Sequence, residues 1–380
     1  MFTMHQSLTP EEDGLCCGDL TPENLLRLGA ALPLAAPSVL IGYEADGRFP
    51  AAAAGILAGA AAAAGGKCTL VPNVTLPELS AASLAGNTPL LLHIAGQRLH
   101  IYAKGLLPLS AVQQEHLLHQ PTPVWNAPSL YGECSNGAGL QALYPAQILD
   151  RLPKHFSVMP EVSTGSASLY QLMTRLLRGG RGSLMTMQLS ADGRRLAVYS
   201  EESGWIFHEK LILLLCQRYF SAGIDVSLPY WMPRAAEQLA KEYGRTVLRY
   251  ASRSDGSDIH ARELAAKQGF TLDGTILCAE FLREYEEGGV SLTEWLASLP
   301  ACHTVRRIVR LAEDETHPLE RWQTAWNAAQ TAEGLLAESG NGSALVRPSR
   351  SGRTVTLLTE AATMEAASEL AGDISAFLGH

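Results

Sequence analysis

Short apolar runs recur along this chain, each bounded by Gly, Pro or polar residues, with stretches of helical spacing between them. Residues 38–42 (Ser-Val-Leu-Ile-Gly) and 67–72 (Lys-Cys-Thr-Leu-Val-Pro) read as strands. The Ala- and Gly-rich stretch 50–66 between them reads as a helix. Strand, helix, strand at this spacing predicts a βαβ unit with a parallel sheet, on which small residues let the helix lie close. Ahead of it, residues 20–29 open a helix. Thr21 caps it, Pro22 and Glu23 sit in the first turn, and Gly29 is expected to close it.

The pattern then repeats. A strand at 155–159 precedes a helix at 168–178, and strands at 185–189 and 196–199 lead to a helix at 208–219. A third unit starts at 224–228, with a helix at 234–243, a strand at 246–250 and a long helix at 273–287. A short helix, 292–299, ends at Pro300. The tail differs: strands at 304–311, 344–347 and 355–358, then a terminal helix at 365–378. That order predicts three α/β units followed by an α+β tail.

Composition narrows the class. In 380 residues, 47% are hydrophobic and 18% charged, so a packed core is expected rather than disorder. The net charge of −9 argues against a general nucleic-acid partner, which would need a basic surface. Seven cysteines are scattered without metal-knuckle spacing, which suggests free thiols in a reducing compartment. The first residues lack a signal-peptide pattern, and 50–66 is too weakly apolar to favour a membrane span. A cytoplasmic protein with no membrane partner is the expectation.

The most specific string is Ser190-Ala191-Asp192-Gly193-Arg194-Arg195 before an apolar strand. It resembles the Asp-Gly-Asp-x-Asp-Arg metal loop of the α-D-phosphohexomutases, the phosphoglucomutase, phosphomannomutase and phosphoglucosamine mutase superfamily. Other motifs fall in the same order. Leu20-Thr21-Pro22-Glu23 resembles the family's opening helix start, and residues 39–44 its Gly-Arg-Asp-Thr-Arg strand. Residues 71–77 are similar to its Pro-Thr-Pro turn. Leu272-Asp273-Gly274 with its long helix resembles the third-domain segment, and Val346-Arg347-Pro348-Ser349 the start of the C-terminal phosphate loop. The resemblance implies three α/β domains with mixed sheets (1–152, 153–223 and 224–300) and a C-terminal α+β domain (301–380).

The departures sit in the sites. Mutase chemistry moves a phosphoryl group between an enzyme phosphoserine and a sugar, using Mg²⁺ and a cationic clamp. Here Ser190 and Arg194 stand where two of three metal-binding carboxylates belong, leaving Asp192, which is a poor site for a hard cation. No serine loop follows the strand at 89–94, and Ser110 reads as a helix cap. The arginines of Gly-Arg-Asp-Thr-Arg are replaced by Tyr43 and Asp46, and no sugar loop appears in 258–272. Glu202-Ser203-Gly204 reads as a turn, and His93 and His100 as structural. Arg194 and Arg195 are expected to neutralise Asp192 from within the loop. The clamp keeps Arg347, Ser349, Arg350, Ser351 and Arg353, whose guanidiniums suit phosphate oxygens. The expectation is a protein without catalytic residues or cofactor and without mutase activity. It would bind a hexose phosphate or a related mutase, Mg²⁺ being needed only by an alternative, active enzyme. A purely structural partner of a genuine mutase is the third reading.

Overall fold

Four sheets organise the chain in sequence order. The computed structural model describes residues 8–10, 15–44, 48–118, 123–178, 180–312, 317–340, 342–349 and 352–379. The first sheet takes β1 (Leu8–Pro10), β2 (Leu15–Cys17), β3 (Ser38–Tyr43), β4 (Lys67–Pro72), β5 (Leu90–Ala95), β6 (Arg98–Ala103) and β7 (Cys134–Asn136). Its helices are α1 (Pro22–Ala35), α2 (Arg48–Ala63), α3 (Leu76–Ala85), α4 (Ala111–Leu118) and α5 (Leu143–Arg151). The strand order is β1-β2-β6-β5-β3-β4-β7. The β3–β4, β3–β5 and β4–β7 pairs are parallel and the others antiparallel.

The second sheet, also mixed, holds β8 (Met159–Thr164), β9 (Leu184–Leu189), β10 (Leu196–Ser200) and β11 (Gly204–Ile206), with α6 (Ala167–Leu176) and α7 (His208–Ser221). Parallel β12 (Val226–Pro229) and β13 (Val247–Tyr250) flank α8 (Ala235–Glu242). Then come α9 (Ile259–Gln268), α10 (Gly274–Gly288) and α11 (Leu292–Ala297). The fourth sheet is antiparallel: β14 (His303–Arg310), β15 (Ala329–Gln330), β16 (Leu335–Ser339), β17 (Gly342–Pro348) and β18 (Thr354–Ala361), with α12 (Pro318–Ala325) and α13 (Met364–Gly379). The architecture is mixed α/β with an α+β C-terminal part. By compactness the chain forms two units, 1–215 with 252–293 and 216–251 with 294–380.

Local chemistry explains the well-placed elements. Thr21 Oγ1 accepts from Asn24 N–H at 3.3 Å, and Pro22 occupies the first helical position of α1. Thr75 and Glu78 form a reciprocal capping box on α3. Ser110 caps α4 by accepting from Gln113 N–H, and Ser166 caps α6 by accepting from Leu169 N–H. In the fourth sheet Val355 and Leu357 face Ala371, Ile374 and Leu378 of α13, all buried, while the alternate positions of β18 face away.

Several expectations need correction. Gly29 does not close α1, which runs on to Ala35. A Cβ there would lie 2.6 Å from Ala60 Cβ and 2.7 Å from the Leu57 carbonyl oxygen, so Gly29 is where α1 and α2 touch. The strand expected at 155–159 starts at Met159, and the one expected at 224–228 starts at Val226. Within 258–272 the helix α9, Ile259–Gln268, is one the apolar pattern did not announce. The short α3, α5 and α12, and β1, β2, β7, β11, β15 and β16, were not predicted, whereas the cap expected at Ser110 does open α4.

Candidate functional site

The β9–β10 loop is held by its own backbone. Ser190 N–H donates to the Arg195 carbonyl at 3.0 Å, and Gly193 N–H to the Ser190 carbonyl at 2.9 Å. Gly193 has φ +74°, and a side chain there would strike Pro77 at 2.7 Å. Gly274 N–H donates to the Gly193 carbonyl at 2.9 Å, so the start of α10 docks on this loop. Its cap, Asp273, is buried. It accepts from Tyr144 Oη at 2.7 Å and from the Thr275 and Ile276 amides. Burial pushes the Asp273 carboxyl up to about 6 against those bonds.

Asp192 is held from within the loop. Ser190 Oγ donates to its Oδ1 at 2.5 Å and Arg194 N–H at 3.1 Å. Burial would raise its pKa. The Arg194 guanidinium and the Ser190 bond outweigh burial and hold the carboxyl below its ordinary value. The guanidinium lies 4.8 Å from the Tyr102 ring centroid, with Nη1 3.4 Å from Tyr102 Oη. Arg195 is exposed, and its backbone N–H donates to Ser190 Oγ at 2.9 Å. The donor set is thus one carboxylate, one hydroxyl and a fixed guanidinium, which does not fit Mg²⁺. Among the described residues no group of three or more His, Cys, Asp or Glu side chains could hold a metal ion.

Beside this loop, β5 turns into β6 across Gly96-Gln97, Ala95 facing Arg98, with no serine at the turn. His93 and His100 are cross-strand partners. Buried His93 donates Nε2–H to the Val74 carbonyl at 3.0 Å, and burial lowers its pKa from 6.5 to about 4. His208 accepts from Leu196 N–H through Nδ1. Burial first, then Arg195 and Arg194, lowers it to about 3. Both are neutral packing groups at pH 7. In the segment where the family carries its sugar loop by resemblance, Asp258 precedes α9 and pairs with Arg262 at 3.8 Å. Glu202-Ser203-Gly204 is the β10–β11 turn.

Arg347 and Arg353 lie on the β17–β18 hairpin. Arg347, on β17, pairs through Nη1 with Oε1 of buried Glu333 at 2.8 Å. Gly352 N–H donates to the Ser349 carbonyl, and Thr354 N–H to the hydroxyl of Ser349, while Ser349 N–H donates to the Thr354 carbonyl. The Arg353 carbonyl accepts from Leu311 N–H. Arg350 and Ser351 lie outside the described residues, as does Asp46. The sequence reading missed Arg306 of β14. Its partner on β18 is Leu358 and that of Arg347 is Thr356, two residues apart, and burial, then the Arg347 charge, lowers the Arg306 pKa. Its sign was the paired Arg306-Arg307 inside an apolar strand. Tyr102 and Glu333, which fix the two key guanidiniums, gave no sign.

This succession of mixed, parallel and antiparallel sheets is the fold of the α-D-phosphohexomutases. The chain is similar to a phosphoglucomutase/phosphomannomutase family protein from Burkholderia thailandensis (16% identity, 94% of this chain and 93% of that one, TM-score 0.67). It is similar to a candidate phosphomannomutase from Thermus thermophilus (14% identity, 96% and 97%, TM-score 0.68). Parafusin, a phosphoglucomutase of Paramecium, matches at 10% identity over 98% and 95%, with TM-score 0.62. No protein-family profile and no curated protein sequence matches the chain. No described helix is long and apolar enough to cross a membrane.

Proposed function

We propose that this chain is a divergent relative of the phosphohexomutases that no longer transfers phosphoryl groups. It keeps a binding or regulatory role toward a hexose phosphate. The observation that carries the reading is the Ser190–Arg195 loop, where an internal guanidinium stands beside the single carboxylate. Phosphoryl transfer needs a nucleophile, a cation over the transferring group and a clamp on the substrate. The loop and the β5–β6 turn lack the first two. The clamp is the part with support: Arg306 and Arg347 lie on the two strands that flank β18, near enough for the Arg347 charge to lower the Arg306 pKa, and Ser349 and Arg353 lie on the adjoining turn. Arg350 and Ser351 complete the set by sequence.

Each charge-assisted bond to a phosphate contributes about 1.5–3 kcal/mol, so two or three give weak, salt-sensitive binding. Arg347 is a poor residue to truncate, because Glu333 would be left buried without its partner, at about 3–5 kcal/mol. Arg306→Ala with Arg353→Ala is the cleaner test. Glucose, mannose and glucosamine 6-phosphates should raise the melting temperature of the wild type and not of this double variant. If the wild type shows no shift at several millimolar, the chain is instead a scaffold that partners a genuine mutase. The Arg347–Glu333 pair favours that second reading, since it already commits part of the clamp.

A further inference from the structure

We propose that Cys68 and Cys134 are a peroxide-oxidisable thiol pair whose disulfide staples the edge strand β7 to β4. The two residues are direct partners in the parallel β4–β7 ladder. Neighbouring strands run about 4.8 Å apart, inside the Cα separation a disulfide needs. Register partners on these strands do meet side chain to side chain. One position on, Thr69 Oγ1 and Ser135 Oγ are 2.8 Å apart. The backbone fixes the register, because Cys68 N–H donates to the Glu133 carbonyl at 2.8 Å and Gly137 N–H to the Leu70 carbonyl at 2.7 Å.

The pair is unequal. Cys134 is exposed and Cys68 buried, both as free thiols. Burial, and then the neighbouring Cys134, pushes the Cys68 thiol up to about 12. Cys134 is therefore the sulfur that meets the oxidant, and Cys68 the one that resolves it. Hydrogen peroxide is the oxidant. The Cys134 sulfur attacks one peroxide oxygen, the O–O bond breaks, and water leaves with the thiol proton, giving a sulfenic acid. The Cys68 sulfur then attacks the Cys134 sulfur. The S–O bond breaks, the S–S bond forms, and a second water carries off the Cys68 proton. In sum, two thiols and one peroxide give one disulfide and two waters. The staple matters because β7 is an edge strand leading through Gly137 into α5, whose Tyr144 and Arg151 hold Asp273 and Glu280.

Tryptic mapping reads the bond without ambiguity, since Cys68 is the sole cysteine of peptide 68–98 and Cys134 of peptide 105–151. The reduced full chain is treated with a few equivalents of hydrogen peroxide, blocked with iodoacetamide and digested without reductant. The two peptides should appear joined, should separate on adding dithiothreitol, and should stay apart in Cys134→Ser. Recovery of Cys134 as alkylated thiol, as sulfinic or sulfonic acid, or joined to Cys134 of a second copy, would overturn the proposal.

Discussion

Arg194 carries a positive charge into a loop whose remaining carboxylate already receives two hydrogen bonds. Magnesium should therefore give no one-site isotherm with the wild type at millimolar concentration in titration calorimetry. Ser190→Asp combined with Arg194→Asp should create one, by removing the internal cation and adding two hard oxygen ligands. The residue scale also sets a pH dependence. His93 and His208 are held below the ordinary 6.5, so the unfolded chain binds more protons than the folded one as pH falls past 6.5. Their stabilisation is complete above 6.5 and is lost toward their folded values, about 2 kcal/mol each by pH 5. Asp273, raised to about 6, acts in the opposite direction between its ordinary value and 6, so variants must be compared. Urea unfolding of His93→Gln, which keeps a donor for Val74 and takes no proton, should lose roughly 2 kcal/mol less than wild type between pH 7 and 5. An equal loss in both would reject the assignment.

Elements were legible where the chain itself carries the signal. The caps at Thr21 and Ser110 could be read directly, because a cap acts on amides only two or three residues away. The β3, β4 and β9 runs were legible for the same local reason. Gly29 was not, because its role belongs to another helix: the missing Cβ makes room for Leu57 and Ala60. Replacing Gly29 with Ala should thus destabilise, although alanine favours the helix itself by about 1 kcal/mol. Overpacking two helices costs about 1–3 kcal/mol, so a net loss in urea unfolding is expected, and a gain would show that α1 and α2 can separate freely. The same logic hid α9, whose buried side includes Arg262 and Gln268 and so has no clean apolar stripe. It also hid the Arg306–Arg347 neighbourhood, which only strand pairing creates.

Across the whole molecule, the fold and the chemistry rest on different residues. At 10–16% identity the sheets and their connections match phosphohexomutase structures over nearly the full chain. The buried apolar positions that build them tolerate exchange among Leu, Ile, Val and Ala. A transfer site tolerates none at its nucleophile and cation ligands, and the motif resemblance puts Ser190, Arg194 and the Gly96-Gln97 turn at those positions. The frame was therefore legible through many weak motifs, and the proposal of an altered site rests on a few sharp ones. The most direct measurement is phosphorus NMR of the purified chain with hexose 1-phosphates and Mg²⁺. Resonances of the 6-phosphates should stay at the level of a protein-free control for glucose, mannose and glucosamine substrates. Steady conversion, abolished by a single substitution such as Asp192→Ala, would contradict the account.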